Sequence, residues 1–279
     1  MKYKQGRYNL AATIFAPWDC GNNCPFCTSK ATYKNKQNFS LKNVIDSINI
    51  LNKKPEIKEF VITGGEPFAN INGIKEIVSC CQKPVYINTT LPTKTYGEAR
   101  EIINNTEVIK GVNVSRHITY EFKNVATVEE IDLIKKPIRI NTVFPERDIC
   151  DIGILKLKDF IYKYGKKKRD INIREDYRLV TLSSLKSRNA LFEWLAETFD
   201  YIETESCMVC NSDYFSVENS FICAYHRGLE LSSVTYNDKC YINDVIVAQD
   251  GKIYKDWNRK EDDEFTEWLY STEKGGVSE

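Results

Sequence analysis

The sequence predicts an α/β fold in which six parallel strands alternate with helices, followed by a small β-rich extension. Three observations carry this reading. Between residue 9 and about residue 174, short runs rich in Val, Ile, Tyr and Thr alternate with longer segments of helical periodicity. The helical segments carry start signals at the expected places. After about residue 200 the pattern changes to short β-like pieces.

The strands read in order as LAATIFAP, EFVITG, VYINTT, VIKGVNVS, PIRINTVF and DINIRE, with the composition of strands buried on both faces. Ser40 precedes the helical run LKNVIDSINILN, Thr127 precedes VEEIDLIKK, and Asp151 precedes IGILKLKDFIYKY, which stops at Gly165. LSSLKSRNALFEWLAETF has Leu, Phe and Trp at helical spacing and closes the sixth unit. The extension reads as YFSVENSFICAY, CYINDVIVAQ and KIYKDW, with Asp250-Gly251 as a hairpin turn and a surface helix around EFTEWLY. The expected division is residues 1–200 for the βα units and 201–279 for a separate extension.

A chain of 279 residues buries an adequate core. Lys plus Arg equals Asp plus Glu at 39 each, which gives no support for a nucleic-acid partner. LAATIFA is too short to span a membrane and runs into a cysteine loop, so no membrane association is expected and the chain reads as cytosolic. Ten cysteines in a reducing compartment, some tightly spaced, point to metal ligation or catalysis and away from a disulfide framework.

The stretch DCGNNCPFC places Cys20, Cys24 and Cys27 in the loop after the first strand, at the end of the sheet where βα loops build active sites. Three thiolates suit an iron-sulfur cubane that keeps one iron open for a reactant; a zinc site with a distant fourth ligand is the alternative. The second strand ends in Gly64-Gly65-Glu66-Pro67, where glycines let the backbone approach a ligand closely and a carboxylate or carbonyl can receive an ammonium.

Cys20-x3-Cys24-x2-Cys27, with Phe26 before the last cysteine, resembles the signature loop of the radical S-adenosylmethionine (radical SAM) enzymes, and Gly64 to Pro67 resembles their GGEP motif. The resemblance covers roughly the first 200 residues and implies a partial (β/α)6 TIM-like barrel. It further implies a 4Fe-4S cluster on the three cysteines and S-adenosyl-L-methionine bound against it. Reductive cleavage would yield a 5′-deoxyadenosyl radical that abstracts hydrogen from a substrate, with an electron donor protein as partner. Phe26, the GGEP loop, Thr89, Ser115, Arg116 and Asn141 carry over as cofactor contacts.

Cys207-x2-Cys210, twelve residues, then Cys223-x2-His226 is a metal-ligand spacing. The four suit structural zinc; the three cysteines alone suit a second 4Fe-4S cluster, similar to the C-terminal triplet of the molybdopterin-precursor cyclases but one residue shorter between second and third cysteine. Cys240 is a spare ligand.

Cys150, near the mouth, is a candidate hydrogen donor to a substrate radical, with packing the ordinary role of such a thiol. His117, Arg174, Glu175, Tyr177 and Arg178 are unspecific candidates for substrate contact, while Lys166 to Arg169 read as a solvated bottom loop and Cys80 and Cys81 as packing thiols. With 19 residues before Cys20, a small-molecule substrate such as a nucleotide or heterocycle is expected. A peptide substrate, a glycyl-radical activase and a noncatalytic zinc module are the other readings.

Overall fold

Alternation within the strands decides what the sheet encloses. The computed structural model describes residues 10–27, 38–144, 148, 150–166, 169–176, 189–202, 212–226, 233–236, 239–242 and 244–271. The barrel begins β1 (Leu10–Ala16), α1 (Leu41–Asn52), β2 (Ile57–Gly64), α2 (Ile71–Cys80), β3 (Val85–Thr89) and α3 (Tyr96–Asn105). It continues β4 (Ile109–Ser115), α4 (Val128–Ile131), β5 (Ile138–Val143), α5 (Asp151–Tyr164) and β6 (Arg169–Arg174). Beyond it lie α6 (Ala190–Thr198), β7 (Asp200–Tyr201), β8 (Ser212–Val217), β9 (Phe221–His226), β10 (Ser233–Tyr236) and β11 (Lys239–Ile242). β12 (Asp244–Val247), β13 (Ile253–Tyr254) and α7 (Asp263–Tyr270) end the described chain.

The fold is a partial βα barrel: β1 to β6 pair in parallel and in sequence order. Side chains such as Ile14, Ile62, Ile87, Val114, Ile140 and Ile173 are buried in the outer layer between strands and helices. The opposite positions differ from the expectation of strands apolar on both faces. Thr13, Asn88, Asn113, Asn141 and Asn172 face an interior cavity, so period two separates an apolar outer face from a polar inner one.

The C-terminal strands do not form a separate appendix. β9 pairs in parallel with β6 and carries β8 and β7 beyond it, while β12 pairs in parallel with β1 and carries β13. Both barrel edges, which would otherwise present unpaired backbone groups, are covered in this way. The expected Asp250-Gly251 turn joins β12 to β13, and Gly251 has φ 86°, a conformation open to glycine. It docks on α1, where Asn43 Nδ2 donates to Asp250 O at 3.1 Å and the Ser47 hydroxyl donates to Gly251 O.

Ser40 caps α1 as expected, accepting from Asn43 N at 3.2 Å. Thr127 and Glu130 form a capping box, yet α4 ends at Ile131 and continues as i to i+3 turns ahead of Pro137. Cys150, not Asp151, is the N-cap residue of α5, so Asp151 lies in the first turn, where an acidic side chain favours the helix dipole. α6 forms the second half of its expected segment, whose first half lies outside the described residues. Arg169 departs from the solvated reading of its basic run. It is 3% exposed and bonds Tyr164 O and Asp132, the latter at 2.7 Å.

Candidate active site

β1 ends at Ala16, and the chain turns at once into the cysteine loop, with Trp18 N donating to Ala16 O at 2.9 Å. The loop is held against the end of β2 by shape and by a hydrogen bond. The Trp18 indole N–H donates to Glu66 O at 2.9 Å. A methyl group on Gly65 would lie 2.6 Å from the Asp19 carbonyl carbon, so only glycine lets the two loops touch.

Cys20, Cys24 and Cys27 all line one cavity of about 750 Å³, a size suited to a small-molecule ligand. Phe26, Gly64, Gly65, Glu66, Thr89, Ser115 and Asn141, predicted as cofactor contacts, line it as well. Pro67 starts a 3-10 turn behind the loop and is buried outside the lining. Arg116 is also turned away: it is 5% exposed and donates to Thr90 O at 2.9 Å and Ala126 O at 2.6 Å. Its neighbour His117, just past β4, does line the cavity.

Glu66 is 2% exposed, and its carboxylate accepts four hydrogen bonds. They come from Thr89 Oγ1 at 2.5 Å, Thr90 N at 2.7 Å, Thr90 Oγ1 at 2.6 Å and Phe68 N at 3.1 Å. Burial raises its pKa, against these bonds, which favour the ionised form. With its acceptor sites taken, the carboxylate ties the β2 loop to the end of β3.

His117 is set by both neighbouring elements. Its Nδ1 accepts Val143 N–H at 3.1 Å, which places the proton on Nε2. Its ring meets Phe26 edge-on at 4.4 Å and Phe122 at 5.2 Å. Burial, reinforced by the Arg116 charge, lowers its pKa to about 3, so the ring is a neutral donor. Burial, with smaller contributions from the Glu66 and Cys27 charges, pushes the Cys20 thiol up; a bound cation reverses that direction.

Among the described residues no three His, Cys, Asp or Glu side chains are arranged to hold a single metal ion. The three thiols nevertheless fit an iron-sulfur cubane by donor type and by their shared opening on the cavity, since a cubane binds each thiolate through a different iron.

The second cysteine set is split. Cys207 and Cys210 lie outside the described residues, as do Tyr177 and Arg178. Cys223 and His226 project from opposite faces of β9, three residues apart on a period of two. Cys223 is fully buried in the outer core, where burial raises its pKa, whereas His226 lines the cavity and its Nδ1 shares a 2.6 Å hydrogen bond with Ser212. The structure therefore does not bring these two together. Cys240 lies in β11. Cys150 is exposed at the start of α5, outside the lining, and Arg174 is within it. Glu175 accepts from the Tyr225 hydroxyl at 2.7 Å. Cys81 is a packing thiol as expected, its pKa pushed up to about 12 by burial.

Residues 19–142 match the profile of the Radical SAM superfamily. That match marks residues 19–142, from the cysteine loop through β5, as similar to the radical SAM superfamily. Radical SAM proteins hold a 4Fe-4S cluster and S-adenosylmethionine. No curated protein sequence matches the chain significantly. Among solved structures, the chain is similar to Streptococcus suis SuiB bound to S-adenosylmethionine, at 15% identity and TM-score 0.56. It is similar also to a second crystal structure of Streptococcus suis SuiB, at 16% identity and TM-score 0.55; in both cases 90% of this chain and 60% of that chain are covered. At these identities the likeness speaks for the fold alone. The chain thus spans about 60% of the length of those SuiB structures.

Several lining residues of this barrel escaped sequence reasoning. Asn88, Asn113 and Asn172 recur one per strand within VYINTT, GVNVS and DINIR, a signal that was present. Trp257, 42% exposed and packed on Phe15 at 5.6 Å, comes to the cavity from the C-terminal extension, and no local pattern announces it.

Proposed function

We propose that the chain is a radical SAM enzyme that acts on a small molecule held inside the barrel. Cys20, Cys24 and Cys27 would hold the 4Fe-4S cluster, with S-adenosylmethionine between the cysteine loop and the ends of β2 to β5. One observation carries the reading: the cysteine loop and the Gly64-Gly65 loop are locked together through Trp18 and Gly65 over a common cavity of about 750 Å³. When bound, cluster and cofactor supply a one-electron route to a radical that abstracts hydrogen.

The chain's own residues position and shield. Glu66 fixes the loop after β2 to Thr89 and Thr90, leaving the main chain of Gly64 and Gly65 to face a ligand. His117 offers its Nε2 proton at the ring packed against Phe26. Phe15 and Trp257 form an apolar wall that restricts water at the β1 side. The cavity lies within the barrel, which favours a small substrate over a macromolecule, and an electron donor protein completes the cycle. Among the described residues no helix is long and apolar enough to cross a membrane, and we place the chain in the cytosol from its cysteine usage. A second metal, zinc or a further cluster, would draw on Cys207 and Cys210 with one of the two β9 residues, Cys223 or His226.

The test is anaerobic reconstitution with iron and sulfide, then reduction with S-adenosylmethionine present. About four irons at the first site and 5′-deoxyadenosine formation are expected, both lost in Cys24→Ala. Cofactor cleavage surviving that substitution would overturn the assignment. Saturable binding of a candidate peptide, with no small-molecule binding, would turn the reading to peptide modification.

A further inference from the structure

Apart from Asn141, the inward residues nearer the N-terminal ends of the strands are not used by the reading above. By strand register Tyr86 on β3 lies beside Val61 on β2 and Gly111 on β4, with Glu59 one inward position nearer the start of β2, while Arg139 on β5 lies beside Asn113 on β4 and Asp170 on β6. Asn88 lies beside Asn113, and Asn141 beside Asn172 and Ser115, so the asparagines form two neighbouring pairs on β3 to β6. All of these belong to the same cavity as the cysteines.

The asparagines pair, Asn113 Nδ2 donating to Asn88 Oδ1 at 2.7 Å and Asn172 Nδ2 to Asn141 Oδ1 at 2.9 Å. Asn172 is 1% exposed, yet its Oδ1 has no hydrogen-bond partner. A buried amide oxygen left so is costly unless a ligand fills it. Below it, Asp170 accepts from Ile222 N–H at 3.0 Å and Asp244 accepts from the Thr13 hydroxyl at 3.0 and 3.1 Å, so these two carboxylates are engaged.

Glu59 and Arg139 are not. They face one space with opposite charge, and burial raises the Glu59 pKa while the Arg139 charge opposes the rise. Among the described residues they form neither an ion pair nor a hydrogen bond, with each other or with a third group. Tyr86 lies between them, its ring seated over Gly111, where a methyl group would come within 3.0 Å of it. Arg139 lines the same cavity and is exposed. Two opposite charges held apart on either side of an aromatic ring, under an unfilled amide oxygen, form a complement to a molecule that carries both charges itself.

We propose that the lower chamber is a substrate subsite for a zwitterion of the amino-acid type: ammonium on Glu59, carboxylate on Arg139, and a polar donor group on Asn172 Oδ1. This names the substrate class for the radical SAM reading and rests on it. Glu59 and Arg139 are separated by β3 and β4, so the span between the ligand's two charges governs recognition.

The probes are unbranched ω-amino acids from glycine to 7-aminoheptanoate, in which only that span changes. They are titrated calorimetrically into the full-length reconstituted chain without reductant. Affinity should peak at one chain length. For the best probe, N-acetylation or esterification should each weaken binding by about ten- to a hundredfold, the worth of a hydrogen bond to a charged group. Glu59→Gln should abolish the discrimination against the N-acetyl form alone, and Arg139→Gln that against the ester alone. Binding indifferent to chain length and capping, or no saturable binding, overturns the subsite. Should either variant fail to fold, the chain-length and capping series on the unmodified chain decides. Amino-acid binding alongside failed S-adenosylmethionine cleavage would sink the radical reading and leave the subsite standing; the reverse pattern would sink only the subsite.

Discussion

The indole N–H of Trp18 and the main-chain oxygen of Glu66 are 2.9 Å apart, which joins the cysteine loop to the Gly64-Gly65 loop across the top of β1 and β2. Trp18→Phe keeps the ring and removes the donor. The expected loss is about 1 kcal/mol, read as roughly fivefold weaker S-adenosylmethionine binding with secondary structure unchanged. Equal affinity would mean that Gly65 packing alone sets the loop.

Gly65→Ala should be far more severe, because the new methyl would lie 2.6 Å from the Asp19 carbonyl carbon and 2.8 Å from Cys20 N. The loops must separate, and we expect cluster content after reconstitution to fall. Gly97→Ala is the control: nothing lies within 4 Å of the added carbon, within α3. It should raise stability by roughly 0.5–1 kcal/mol, as alanine does for glycine in a helix. The two melting curves would differ in opposite directions from the parent.

His117 predicts a pH dependence with a definite sign. Its folded-state pKa, about 3, lies below the ordinary 6.5, so the unfolded chain binds the proton more readily. The stability it contributes is present above pH 6.5 and is lost as pH falls toward 3. His117→Asn removes the titration, so the parent should lose stability relative to the variant between pH 7 and about 4. Parallel denaturation midpoints over that range would show that the ring opens to solvent before protonation.

Lys54 is 7% exposed and holds the end of α7: its Nζ donates to Trp268 O and, at 3.0 Å, to Ser271 O, and lies 5.1 Å over the Trp268 ring. A cation at a helix C-terminus also favours the dipole. Lys54→Met should cost about 1–3 kcal/mol through the orphaned carbonyls. Amide exchange should rise within α7 and leave the β1 to β6 strands protected. Uniform exchange across the sheet would place Lys54 in the global core.

Metal content separates the two cysteine sets. Cys207→Ala with Cys210→Ala should spare the first cluster. A fall from about eight irons to about four would establish a second cluster, and loss of zinc alone a structural ion. Loss of all iron in that variant would contradict separate sites.

Much of the barrel was legible because its signals are local. Strand composition, the helix starts after Ser40 and Thr127, and the Asp250-Gly251 turn each depend on a few neighbouring residues, and each appears where expected. The cysteine loop was legible for the same reason. Arg116 and His117 were not separable, since neighbours at a strand end face opposite ways and only the pairing of β4 with β5 fixes which one reaches the cavity. Cys223 and His226 show the same limit: a spacing that suits a metal on a turn fails on an extended strand.

By itself the sequence determined the order of the βα units, the place of three thiols beside a glycine loop, and the superfamily that follows. The tertiary structure decided that β9 and β12 close the two edges of the sheet, that Glu66 spends its carboxylate on Thr89 and Thr90, and that Glu59 and Arg139 share a chamber. Local propensity is read over a few neighbouring residues, whereas an edge, a saturated carboxylate or a shared cavity arises from strands brought together across long stretches of chain.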